Sequence, residues 1–265
     1  MMKLKYGVLT GALCTLIASN AGAAMISWGS GVSFSGDTDV DDSGATVFAI
    51  NGAGANVTIN GVSFTGSPTG TSAGGYTIGD FYTKLGNANG AGTFDPNGTP
   101  SGGAGTGPYD ALSADYKNFT SSAMWPGNPN TALPYDTDTV TMSNLNIGDN
   151  YLVQIWTYDG RNGRSGHNFV LDGDASNPIR LNDDPYVGDG SENAADGIGQ
   201  YVIGTFTADA ATQSFDIEGF AGNGGGSQGR AQINAIQLRN LSVPEPSSML
   251  LTGLAALGFM GRRRR

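Results

Sequence analysis

The chain has 265 residues, 23 acidic, 13 basic and 43 of them glycine. Lys3, Lys5 and Arg262 to Arg265 hold six of the basic residues and Glu245 is the one acid near the C-terminus, so the intervening segment has seven bases, 22 acids and a formal charge of −15. Such a surface repels nucleic acid and anionic lipid and favours divalent cations or neutral partners, and glycine without a period of three excludes a collagen-like rod. The first element is the N-terminus, where Met1 to Lys5 form a short positive segment before an apolar stretch from Tyr6 to about Ala18. Small residues follow at Ala21, Gly22, Ala23 and Ala24, so residues 1–23 read as a signal peptide cleaved after Ala23 or one residue later, and the chain is expected to be exported. The only cysteine, Cys14, lies inside this segment. Leu13 before it does not suit a lipoprotein signal, and the mature chain has no disulfide, thiol nucleophile or thiolate metal site.

Residues 24–242 suffice for one β-rich domain, which aromatic and β-branched segments supply with enough apolar surface to fold. Val40 to Ile50 reads as the start of a strand after an acidic turn. Val57 to Ile59 and Val62 to Phe64 flank Asn60-Gly61, the strongest short hairpin signal, with one continuous strand through Gly61 as the alternative. Residues 86–134, rich in glycine and proline, read as a long irregular excursion. Val140, Met142 and Leu145 lead to a turn at Gly148-Asp149-Asn150, and Tyr151 to Tyr158 then reads as a strand buried on both faces. Asp159 to Gly163 turns the chain again. His167 to Leu171, Tyr201 to Thr207, Ser214 to Phe220 and Ala231 to Arg239 have strand length, with Phe215 and Ile217 alternating against Asp216 and Glu218. Helical periodicity is absent outside the termini. The expected fold is all-β, an antiparallel β-sandwich with the long excursion, plus an N-terminal signal helix and a short C-terminal hydrophobic helix.

The tail, residues 243–265, has three parts. Val243-Pro244-Glu245-Pro246 stays extended because its two prolines exclude regular pairing. Residues 247–261, apolar from Met249 to Met260, reach roughly 22 Å as a helix, short of a hydrocarbon core of about 30 Å. Arg262, Arg263, Arg264 and Arg265 then resist translocation and set the topology. This tripartite pattern resembles the PEP-CTERM sorting domain. The resemblance implies recognition at Val243, Pro244, Glu245 and Pro246 by an exosortase, a membrane protease or transpeptidase of Gram-negative bacteria that make extracellular polysaccharide. The implied course is an inner-membrane tethered precursor, processed and then placed at the cell surface or outside the cell.

The blocks Leu145 to Arg161, Gly199 to Ile217 and Ile233 to Arg239 also resemble, in strand order, secreted β-sandwiches of the galactose-binding, jelly-roll type. Many such sandwiches bind sugars, which is fold analogy alone.

Catalysis finds few materials. His167 is the sole histidine and sits at the start of a strand with no nucleophile elbow nearby, only three glutamates are present, and no two aspartates stand out as a pair. The domain is expected not to be an enzyme. Asp37, Asp39 and Asp41, alternating and followed by Gly44, could supply oxygen ligands to Ca2+, although no glutamate completes an EF-hand loop and the same residues could simply solvate a turn. Residues 182–196 form a second acidic loop. Of Trp28, Trp125 and Trp156, the last sits mid-strand and is expected in the core, whereas Trp125 beside Pro126 is the candidate platform for a sugar ring. The leading expectation is a structural or interaction protein of the cell surface or matrix. The alternative is a carbohydrate-binding module, with or without calcium.

Overall fold

The computed structural model of the chain describes residues 25–52, 55–67, 72–73, 76–78, 81–83, 112–120, 123–126, 135–158, 166–171, 178–182, 199–221, 231 and 233–242. The strands are β1 (Ser27–Trp28), β2 (Val32–Ser33), β3 (Ala45–Gly52), β4 (Val57–Ile59), β5 (Val62–Ser67), β6 (Ser72–Ala73), β7 (Tyr76–Ile78) and β8 (Phe81–Thr83), then helix α1 (Ala114–Thr120). They continue as β9 (Met124–Pro126), β10 (Tyr135–Ser143), β11 (Asn150–Thr157), β12 (Gly166–Leu171), β13 (Ile179–Asn182), β14 (Gln200–Thr207), β15 (Thr212–Ala221) and β16 (Ala235–Asn240).

One sheet of eight strands runs β1-β14-β11-β16-β3-β5-β4, with β2 on the same edge of β14 as β1. A second, of six, runs β13-β12-β15-β10-β7-β6, and β8 pairs with β9 apart from both. The larger sheet is mixed, because β3 and β5 run parallel, Ile50 opposite Thr65. That corrects the expectation of a wholly antiparallel fold. The reason is local: the Asn60-Gly61 hairpin sends β5 back past β4, and β5 is then free to lie beside β3 in the same direction.

Pleating decides which face each residue serves. Tyr151, Val153 and Ile155 of β11, Ile236 and Leu238 of β16, and Phe48 and Ile50 of β3 join Val140, Met142, Phe215 and Ile217 of the second sheet in one buried cluster. The two sheets therefore share a core. On the outer face of β10 and β15, Thr139 donates to Asp216 (2.6 Å) and the hydroxyls of Thr141 and Ser214 meet at 2.9 Å. The alternation expected for Phe215 to Glu218 holds.

The larger sheet is covered on its other face as well. Phe34, Val40, Ile59, Phe64, Tyr116, Phe119, Trp156 and Tyr158 form a second buried cluster. Phe119 meets Trp156 edge-on at 5.0 Å and Phe64 at 4.5 Å, so α1 and the β4-β5 hairpin are fastened to β11 through aromatic edges. This explains why Tyr151 to Thr157 carries no exposed position. Trp156 is fully buried, as its place in the strand implies. Helix α1 falls within the segment expected to be irregular, and so corrects it there. Among the described residues no helix is long and apolar enough to cross a membrane.

Candidate functional site: the loop on the sheet and the exit of the tail

The acidic segment of interest is a loop laid over the polar positions of β11 and β16. Asp37–Asp39 form a single turn of 3-10 helix. The Asp39 carboxylate accepts hydrogen bonds from the backbone N–H of Ser35 (2.7 Å) and Gly36 (3.1 Å), from the Ser35 hydroxyl and from the Tyr116 hydroxyl (3.0 Å). Asp41 Oδ1 accepts from the backbone N–H of Ser43 (2.8 Å) and from its hydroxyl, and Asp37 Oδ1 from the Ser113 hydroxyl (2.6 Å). The three aspartates thus face three different sets of donors. Among the described residues no group of three or more His, Cys, Asp or Glu is placed to hold a metal ion.

Beneath the loop lie buried polar side chains that the sequence reading passed over. Gln154 donates to the Asp39 carbonyl (2.7 Å) and accepts from the Asp41 N–H (3.1 Å) and from Gln237 (2.8 Å). Gln237 also donates to the Asp41 carbonyl (2.9 Å). Arg239, buried, donates from Nη2 to the carbonyls of Asp42 (2.6 Å) and Gly44 (2.8 Å), from Nε to that of Ser43 and from Nη1 to the Thr46 hydroxyl (2.9 Å). A loop that brings bare carbonyls onto a sheet must find donors there, and these three residues are the donors. Burial, then the charge of Asp39 and the hydrogen bond to it, push the Tyr116 hydroxyl well above the ordinary tyrosine range. Tyr201 is raised by burial and by the charges of Asp39 and Asp41.

The second region is the end of the larger sheet where β16 stops. Asn150 receives the chain on both sides: its carbonyl accepts from the Leu241 N–H (2.8 Å) and its own N–H donates to the Ser242 hydroxyl (2.8 Å). The Ser242 N–H donates to Asn240 Oδ1 (2.8 Å), and Asn240 Nδ2 donates to Asp149 Oδ2 (2.7 Å). Two connections between the sheets, residues 144–149 and 208–211, close the same end. Gly148 N–H donates to the Ala208 carbonyl (2.7 Å), Ala208 N–H to that of Asp149 (2.9 Å), and Leu145 N–H to that of Ala211 (3.1 Å). Gly148, at φ 91°, and Asn144, at φ 62°, supply the left-handed turns this requires. The last described residue, Ser242, is therefore held by side chain and backbone to the sheet itself.

His167 lies in β12, its backbone opposite Asn182 and Phe220. Trp125 lies in β9 opposite Tyr82, and its side chain lies outside the described residues. So do Ala24 and the signal segment, most of the acidic loop 182–196, Val243, Pro244, Glu245, Pro246 and Arg262 to Arg265.

With a β-rich domain and a pinned exit in view, comparison with known proteins speaks to the tail. No curated protein and no solved structure matches the chain. A protein-family model, the PEP-CTERM protein-sorting motif, matches residues 242–265, beginning at the serine that β11 holds. The motif marks an exported protein sorted by an exosortase.

Proposed function

We propose that the domain is a non-catalytic structural or interaction module of the cell surface or extracellular matrix, built on a sandwich of jelly-roll type. It is delivered as an inner-membrane precursor and freed by cleavage at Val243 to Pro246. One observation supports this above all: the sorting motif follows without a spacer on the end of a central strand. A permanent anchor would do better with a full span than with a run reaching roughly 22 Å, whereas a transient one needs no more.

Mass spectrometry of the C-terminus in membrane, envelope and medium tests processing. Loss of the arginine cluster from surface and medium fractions is expected, and intact Arg265 in every fraction would overturn it. A glycan array probed with residues 24–242 tests the role, since reproducible capture of one glycan class would replace the structural reading with carbohydrate recognition.

A further inference from the structure

The register of the larger sheet places the two ends of the domain together. Ser27 of β1 stands opposite Thr205, Thr205 opposite Leu152, and Leu152 opposite Arg239 of β16. Three strand spacings separate the first and last of these, roughly 14 Å. Since β1 and β14 are antiparallel and β14 and β16 each run against β11, the chain enters and leaves at one end of the sheet. That end also gathers apolar side chains left in the open. Among the described residues four large hydrophobic side chains are exposed: Met25 (70 %), Ile147 (70 %), Leu241 (37 %) and Val32 (43 %). Met25 precedes β1, Leu241 follows β16, and Ile147 is in the turn before β11, all at the exit end. Val32, opposite Tyr201, is at the other.

The tether fixes where this end sits. Ser242 is bonded to Asn150 and Asn240, and residues 243–248 span at most about 20 Å before the apolar run begins at Met249. A strand of eight residues is itself about 26 Å long, so the opposite end cannot reach the same plane without the tail being pulled from the sheet. Asp149 is engaged by Asn146 and Asn240, but Asp209 is exposed nearby, which disfavours an anionic surface.

We infer that the end of the sheet carrying Met25, Ile147 and Leu241 faces the bilayer in the tethered precursor, these three side chains resting in the interface of zwitterionic phospholipid. The inference rests on the reading of the tail as a membrane tether. The test uses residues 24–265, the chain that signal cleavage leaves and which holds no cysteine, reconstituted in phosphatidylcholine vesicles, bearing a single added thiol at Met25→Cys, Ile147→Cys, Leu241→Cys or Ser33→Cys and an environment-sensitive fluorophore. Quenching by lipids brominated in the upper acyl chain is expected to be several-fold stronger at positions 25, 147 and 241 than at 33. Protein that floats with the vesicles yet is quenched equally at 147 and 33 would overturn the inference and leave the tether intact. Protein that fails to float would overturn both. Labels dark to the quencher at all four positions, with 147 shielded only after the processing enzyme is added, would give this end to a protein partner instead and also overturn it.

Discussion

Arg239 shows how much a single side chain is asked to hold. Its guanidinium is buried under the loop of residues 42–44 and supplies donors to three consecutive carbonyls. Arg239→Met would strand those carbonyls without water, and a loss of about 3 kcal/mol in urea unfolding is expected. Arg239→Lys should recover less than half, because an ammonium lacks the planar fork. Gly44 belongs to the same junction: at φ 66°, a Cβ there would overlap the Asn240 carbonyl. Tyr116 gives the residue scale a pH signature. Its folded pKa is raised well above 10.0 by burial and by Asp39, so the unfolded chain loses this proton first and native stability falls as pH rises above about 10. Tyr116→Phe should flatten the melting temperature between pH 9 and 11 relative to the parent, while costing about 1 kcal/mol at pH 7 for the hydrogen bond to Asp39.

At the scale of elements, the β4-β5 hairpin and the β1 edge are the informative cases. Asn60 (φ 48°) and Gly61 (φ 76°) form the left-handed pair that a two-residue hairpin matched to strand twist requires. Gly61→Val should therefore destabilise by about 1–2 kcal/mol, read by denaturant titration. Gly204 makes room for β1, since a Cβ there would stand 2.6 Å from Trp28 and Ile26. Gly204→Ala should loosen Trp28 from the edge of Phe215 and red-shift tryptophan emission without global unfolding. The hairpin was legible because Asn-Gly acts locally, and β11 and β15 were legible because burial on two faces or on one leaves a simple pattern in the residues. Helix α1 was not, since seven residues with Tyr116 and Phe119 as its main anchors make too brief a period to stand out. The parallel β3-β5 pair was hidden because the Asn-Gly turn fixes the direction of β5 against β4 but not which other strand β5 will lie beside. Gln154, Gln237 and Arg239 gave no sign of acting together, because the carbonyls they serve belong to the loop returning from residues 35–44, which lies more than a hundred positions away in the chain. The aspartates of that loop were visible as a cluster, but not the serine and tyrosine donors that occupy them.

For the whole molecule, the tail and the domain separate at Ser242. A chain ending after Ser242 should keep its melting temperature within about 2 °C, as no described contact is lost, while failing to be held in the membrane; circular dichroism and fractionation read the two effects. One ending after Asn234 should not fold, because β16 joins β11 to β3 and its removal divides the sheet. That central position sets an order of events during export. Strand β3 pairs with residues almost two hundred positions later, Ala45 with Asn240, so β3 and β11 have no strand to join them until the end of the domain has followed through. The strand that joins them is the last of the sixteen described, so the sorting motif at residues 242–265 comes directly behind the segment that completes the sheet.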